Sequence, residues 1–446
     1  MHKDDAKNKM NTIEIITFFD TIEERSVDYL AQVYQNKEQM QKAIHSLVSH
    51  NISAIKGKKV LLKPNWVREE LKGSDFICLR TNDNLLLCLL EEILILRPKC
   101  VMIADAPVQG CNWEKMITFK FMNQVEALGH KYGTDIVVKD FRRTVADVAN
   151  NTYIRGQNSD SEYLIFDMSD QSWLEPITTE KNRFRVTCYN PDRMAEVHHK
   201  GMHKYCIAKD FFLADVVITV PKLKTHRMAG MTNALKLLVG INGDKDYLPH
   251  HRIGSLSEGG DNYKNKSFLR SFGNWLTDEG NRHIGTNKGR FLKKLGAGFW
   301  QLSRPDKATM GNAGWYGNDT IWRTVMDINT IALFGDVNGN LHDTPQRQLF
   351  TIMDGIIGGQ GDGPLHPDPA PLGILAYSDN PYLMDVVAGH LYHLNHDRIP
   401  LLREAQKMLK GSDCKIIINS KEISLDEVAH YGIDVQMSPG WQDYNN

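Results

Sequence analysis

The residues able to do chemistry collect where short apolar runs give way to polar ones. Pro64 and Asn65 follow Lys59-Val-Leu-Leu-Lys63, and Asp105 follows Cys100–Ala104. Pro221-Lys-Leu-Lys-Thr-His226 follows Asp215–Val220, and Asp354 with Gly358-Gly-Gln-Gly-Asp-Gly-Pro364 follows Gln348–Met353. Ser378 and Asp379 follow Leu372–Ala376. Lys222, Lys224 and His226 alternate, so an extended backbone turns all three to one side. Met228–Val239 has helical spacing, with Met228, Met231, Leu235 and Leu238 on one stripe. Asn233 and Lys236 share another face of it. Cations carried into a helix N-terminus suit phosphate or carboxylate. Gly358, Gly359, Gly361 and Gly363 offer backbone N–H groups to the same anion, since no side chain blocks the approach. A purely structural turn has the same spacing, and neither a Walker loop nor GxGxxG is present.

These types imply roles. Lys222, Lys224 and Lys236 bind the anion with Asn65, Asn233 and the glycines, while Lys63 or His226 transfers a proton. Asp105 and Asp354 orient the lysines or position a divalent cation such as Mg2+, for which Asp354 and Asp379 are the carboxylate pair. Asp379 also precedes a helical pattern, where a carboxylate caps by default. His250 and His251 flank the lysine segment as further catalytic candidates. His390, His393 and His396, or His199 and His203, have spacings that a helix could aim at a metal, and this gives a third option of a metal carrier. No glutamate stands at HExxH spacing, and no GxSxG elbow occurs. Cys111, after Gly110, is either a nucleophile or an inert buried thiol.

The elements that must position these residues alternate in a βα rhythm. The apolar runs are nearly continuous, as in strands covered on both faces, and each leads through a polar loop to a helical pattern such as Asn84–Leu96. The fold class expected is α/β, an open and mostly parallel sheet with helices on both faces. Residues 51–420 form its single domain, with insertions at about 150–210 and 250–318. Residues 1–50 read as a helical extension and 421–446 as a tail. In such sheets ligands bind beyond the carboxyl ends of the strands, where the clusters above fall.

With 53 Lys+Arg against 54 Asp+Glu and 41% hydrophobic residues in 446, the chain is globular, and nucleic acid is not an expected partner. Leu85–Leu96 is interrupted by Glu91 and Glu92, too short to cross a bilayer, and no secretory leader pattern is seen. Seven scattered cysteines without a CxxC exclude iron–sulfur and zinc-knuckle spacings, so no iron–sulfur cluster is expected and the compartment expected is cytoplasmic. Neutrality is only global. Residues 252–307 hold eleven Lys/Arg against five acids, interleaved with six Phe and Trp. That segment is a lid over an anionic substrate, a docked amphipathic insertion, or a face for a polyanion, a membrane surface or a protein.

Four blocks carry a resemblance: VLLKPNWV (60–67), the stretch 214–245 around VPKLKTHRMAGMTNALKLLVGINGDK, IMDGIIGGQGDGP (352–364) and GILAYSDNPYLMDVVAGHLYHLNHDRIPLLREA (373–405). Together they resemble the prokaryotic family catalogued as domain of unknown function 362, over roughly residues 55–410. The resemblance implies an α/β fold. It places the family's pattern on Lys63, Asn65, Asp105, Lys222, Lys224, His226, Asn233, Lys236, Asp354, Gly361, Gly363, Pro364, Asp379 and Asp385. Some relatives append a ferredoxin-like cluster module whose cysteines this chain lacks. The expected function is a cytoplasmic enzyme acting on a phosphorylated or carboxylated small molecule. The alternative is a non-enzymatic binding or assembly protein that docks through 252–307.

Overall fold

In the computed structural model, which describes residues 10–52, 55–70, 76–147, 152–156, 158–186, 189–303, 313–442 and 444, the apolar runs join one twelve-stranded sheet. In chain order its strands are β1 (Asn11–Thr17), β2 (Lys59–Pro64), β3 (Cys100–Asp105), β4 (Asp135–Asp140), β5 (Val216–Val220) and β6 (Lys222–His226). They continue with β7 (Gly230–Thr232), β8 (Gln348–Asp362), β9 (His366–Ala370), β10 (Ile374–Ser378), β11 (Cys414–Ile418) and β12 (Lys421–Ile423). The order across the sheet is β12-β11-β1-β10-β8-β5-β2-β3-β4. The five strands from β8 to β4 are parallel neighbours. The fold is α/β.

The helices that concern the site are α1 (Val27–Gln35), α2 (Lys37–Val48), α3 (Asp83–Ile95), α4 (Phe119–Tyr132) and the short α5 (Ala234–Leu237). Five more follow: α6 (Phe268–Arg282), α7 (Asn287–Leu302), α8 (Ile321–Phe334), α9 (Pro381–Leu391) and α10 (Pro400–Leu409). Strand alternation sorts the core into layers. Val60, Leu62, Val216, Ile218 and Val220 face one way, against Leu30, Ile44, Leu86, Leu89 and Ile93 of the first helices. Leu61 and Val217 face the other way, against Phe166, Ile207, Leu235, Ile328 and Ile331. Near the β1 and β10 strands, Ile13, Ile15, Ile374 and Ala376 pack on Met384, Val387 and Leu402 of α9 and α10. Each such fully buried aliphatic side chain contributes roughly 1.5–3 kcal/mol.

Four expectations are corrected. Residues 11–17 of the supposed helical extension are a strand inside the sheet, hydrogen-bonded to β10 and β11. Ile13 and Ile15 are buried by that placement. The tail also takes part, since Lys421–Ile423 is an edge strand and Trp441 is buried with its indole donating to Arg227 O at 2.7 Å. Met228–Val239 is not one helix: Gly230–Thr232 pairs with β6, and only Ala234–Leu237 is α-helical before a 3-10 turn at Leu238–Ile241. The run after Asp354 is not a loop, because β8 continues through Gly358 and Gly361 to Asp362, pairing with β9.

Candidate functional site

At the carboxyl edge the lysines do not share one environment. Lys63, the fifth residue of β2, lies beside Thr219 of β5. It is fully buried, with its amine 2.6 Å from Asp105 Oδ1 at the end of β3. Asp105 also accepts from the Trp66 N–H at 2.8 Å and from its neighbour Ala106 N–H at 2.9 Å. Gly240 roofs this pair. A Cβ there would stand 2.1 Å from Asp105 Oδ1 and 2.7 Å from Lys63 Nζ, so only glycine allows the approach.

Lys222 faces the opposite side of the sheet, toward α1. Its amine meets Asp354 Oδ2 at 3.0 Å and Tyr34 OH at 2.9 Å, and the Tyr34 hydroxyl donates to Asp354 Oδ1 at 2.5 Å. The Asn82 N–H completes the carboxylate at 3.0 Å. Lys222 and Asp354 have no exposed surface. Burial lowers both Lys63 and Lys222 below ordinary lysine, with the paired carboxylate opposing it in each case. These two lysines are therefore held by carboxylates on different faces of the sheet, where they tie strand ends together.

Lys224 is different. Its buried amine donates to Leu79 O at 2.6 Å and to Asn65 Oδ1 at 3.2 Å, both neutral acceptors. Burial, with Lys222 and Lys236 pushing the same way, brings its pKa down to about 7. The glycines of β8 make room for it: a Cβ on Gly359 would lie 2.6 Å from Lys224 Cγ. A Cβ on Gly358 would strike Tyr392 OH, and one on Gly363 the carbonyl of Thr225 at 2.0 Å. Gly361 donates its N–H to Gln436 O, and Gly363 donates to Gly361 O. Four glycines expected to cradle an anion thus accommodate side chains and neighbouring backbone.

Lys236 of α5 and Lys245 of the following 3-10 turn, Lys245–Tyr247, complete the cluster. Among the described residues neither amine has a hydrogen bond or ion pair. Burial, reinforced by the Lys245 charge, holds Lys236 at about 8. Burial holds Lys245 at about 8 as well, with Lys63 and Arg142 adding to the depression and Asp105 opposing it. His226 is pushed well below ordinary histidine by burial and by the charges of Lys236 and Lys224. Its Nδ1 accepts from the Met228 and Ala229 N–H groups at 3.0 and 3.2 Å, leaving Nε2–H as the free donor of a neutral ring. His250 is held at about 3 by burial, with Lys236 and Lys245 lowering it further.

Asn233 precedes α5, and its Oδ1 is buried without a hydrogen-bond partner. The first N–H groups of α5, on Ala234 and Leu235, go instead to the Asp385 carboxylate at 2.8 and 3.3 Å. Burial raises that acid to about 7. Lys245, Tyr34 and Asn82 were not singled out in the sequence. The available signal for Lys245 was the Gly240-x-x-Gly243 pair before it, since a Cβ on Gly243 would collide with Tyr163. Tyr34 lies 320 residues from Asp354 and had no local signal.

Asp379 does not join the cluster. β10 runs antiparallel to β8, with Ser378 opposite Thr351 and Leu375 opposite Asp354, so Asp379 emerges at the other edge. There its Oδ1 accepts from the Thr12 N–H at 2.9 Å. At about 3.4 Å per residue the Asp354–Asp379 pair is more than 10 Å apart, and one cation cannot bridge them. Asn380, not Asp379, caps α9. Among the described residues no group of three or more His, Cys, Asp or Glu side chains is placed to hold a metal ion. His390 and His396 pack with their rings tilted by 53° at 4.4 Å between centroids, while His393 turns to Asp434 at 2.7 Å. His203 meets His198 and Glu175, and exposed His199 stands apart. Cys111 is buried, with burial raising its thiol to about 12, as expected of an inert group. Cys188 lies outside the described residues.

No curated protein matches the chain. Among solved structures, a Thermotoga maritima protein is 10% identical, over 83% of this chain and 59% of its own, with a TM-score of 0.33. The lactate racemase apoprotein from Thermoanaerobacterium thermosaccharolyticum is 11% identical, over 85% of this chain and 56% of its own, at 0.27. The chain thus spans less than two thirds of either protein, and similarity this remote carries no chemistry across. A family model, by contrast, matches residues 167–390, half of the chain, including Lys222, Lys224, His226, Asn233, Lys236 and Asp354. On that match the chain belongs to the family described as Domain of unknown function (DUF362).

Proposed function

We propose that this protein is an enzyme whose substrate is an anionic small molecule, phosphorylated or carboxylated, seated between Lys236 and Lys245. The observation that carries this reading is the pair itself: Lys236, half-buried, and Lys245, buried, whose amines make no hydrogen bond or ion pair among the described residues, with the Lys245 charge lowering Lys236 further. Burying like charges without compensation is costly, and evolution retains it where a ligand supplies the missing charge. His226 Nε2–H and the unpartnered Asn233 Oδ1 add a neutral donor and an acceptor. Lys224, near pH 7 in its titration and free of any carboxylate bond, is the proton-transfer group, since a base or acid works best when its pKa is close to ambient pH. Lys63–Asp105 and Lys222–Asp354 hold the strand ends on which the cluster stands.

The test is calorimetric titration of the full chain with inorganic phosphate, pyrophosphate and citrate. Binding of at least one, weakened about tenfold or more by Lys245→Met, is expected from loss of one charge-assisted contact of 1.5–3 kcal/mol. Equal binding by wild type and Lys245→Met would place the anion elsewhere, and no binding of any anion would end the proposal.

A further inference from the structure

Within the basic segment 252–307, whose last four residues lie outside the described residues, Phe268–Leu302 forms a helical hairpin built inside out. α6 and α7 meet through glycines at heptad spacing, Gly273 and Gly280 against Gly296 and Gly289. A Cβ on Gly296 would lie 2.8 Å from Gly273 O, and one on Gly289 2.8 Å from Gly280 O, so the two backbones nearly touch. In α7 only the two glycines are buried. The large apolar side chains point out instead: Phe268 is 81% exposed, Leu302 69%, Phe291 65%, Trp275 53% and Leu295 40%. In water an amphipathic hairpin hides such residues in its seam. Small residues in the seam and aromatics outside is the arrangement of helices facing lipid.

The outward residues are ordered. At 100° per residue, Phe291, Leu295 and Leu302 fall within about 40° of arc on α7, opposite the glycines. Lys288 borders that stripe on one side, and Lys294 and Arg290 on the other. α7 carries four cations and no acid. On α6, Phe268, Phe272 and Trp275 stack in a row, with ring planes 1° and 19° apart. Phe272 meets Phe299 of α7 edge-on at 4.9 Å and links the two rows. No helix among the described residues is long and apolar enough to cross a membrane.

We infer that the α6–α7 hairpin docks on an anionic bilayer surface, lying in the headgroup plane. The apolar rows enter the acyl boundary, while Lys288, Arg290 and Lys294 reach the phosphates. The charge of α7 favours lipid phosphate over a second copy of this chain, whose hairpin carries the same positive charge and would repel it. The site for the small anion lies on other elements, so the two inferences stand or fall separately.

The experiment is sedimentation of the full chain with vesicles of phosphatidylcholine alone or with a quarter phosphatidylglycerol. Binding to the anionic vesicles is expected, weaker on neutral ones and reduced by salt. Lys288→Gln, Arg290→Gln and Lys294→Gln together should weaken it on the order of a hundredfold, at about fivefold per removed charge. Phe291→Ser with Leu295→Ser should weaken it about tenfold or more while leaving the fold intact by circular dichroism. A vesicle-induced blue shift of tryptophan emission should vanish in Trp275→Phe. Absence of binding to anionic vesicles would overturn the inference, as would binding indifferent to both sets of substitutions. A concentration-dependent dimer abolished by Phe291→Ser, without vesicle binding, would assign the face to self-association instead.

Discussion

Replacing Lys236 by methionine should make the protein more stable when no anion is added. An ammonium that titrates at about 8 in the fold and near 10.5 when unfolded costs the native state up to about 3 kcal/mol at pH 7, at 1.36 kcal/mol per pKa unit. Methionine keeps the length of the stem and removes the charge. With an unfolding entropy near 2.1 cal/mol/K per residue, that gain corresponds to a melting point about 3 °C higher for a chain of this size. The pH dependence makes the origin identifiable. Because the folded pKa is lowered, the penalty is complete below pH 8 and fades between 8 and 10.5, where the native state has shed a proton that the unfolded chain still binds. Wild-type stability should therefore climb with pH in that window, and Lys236→Met should remove about 1.4 kcal/mol per pH unit of the climb. Denaturant titrations of both proteins from pH 7 to 10.5, without added anion, measure the difference directly. Should Lys236→Met be less stable at pH 7, or climb as steeply as wild type, the ammonium has a partner and the claim of an uncompensated cluster is refuted.

Other outcomes follow from the same geometry. Asp354→Asn or Lys222→Met alone should cost about 3–5 kcal/mol in urea unfolding because each strands a buried charge, whereas Lys222→Met with Asp354→Leu should recover most of it; strictly additive losses would contradict the pairing. His198, His250 and His251, all held at about 3 by burial, should destabilise the fold as pH falls below 6.5. The unfolded chain then takes up protons that the native state refuses, and the midpoint should drop with a slope up to about 4 kcal/mol per pH unit, against a flat profile if these rings are solvated. Gly359→Ala should displace the Lys224 stem and cost about 1–3 kcal/mol by overpacking, read by calorimetry; a neutral result would mean that the strand yields there without strain.

The lysines, Asp105 and Asp354 were legible because each ends an apolar run, and strand ends carry sites in open sheets. The parallel centre was legible for the same reason. Asp379 shows where that reasoning stops: a buried strand reads the same in either direction, so Leu372–Ala376 gave no hint that its partner would run antiparallel and carry the acid to the far edge. The glycines misled because glycine is depleted in strands. Here they sit in one because Tyr392 and Lys224 occupy the space a side chain would need. The separation of Lys222 from the open cluster depended on Tyr34, a contact between distant segments that no spacing rule contains. Strand β1 did alternate, as Asn-Thr-Ile-Glu-Ile-Ile-Thr, and the alternation was hidden among the helical patterns that follow it.

Strand β1 also constrains how the chain comes to be folded. Its two neighbours are Ile374–Ser378 and Cys414–Ile418, so the strand is flanked on both sides by segments made hundreds of residues later. At about 5–20 residues per second, a ribosome needs tens of seconds to supply the roughly 400 residues between β1 and β11. Throughout that interval Ile13 and Ile15 have no sheet to enter and both edges of the strand stand open, a template for pairing with another nascent chain. A release of the chain before residue 414 would leave the gap permanently unfilled. Chaperone occupancy of Asn11–Thr17 should therefore last until Cys414–Ile418 has left the ribosome.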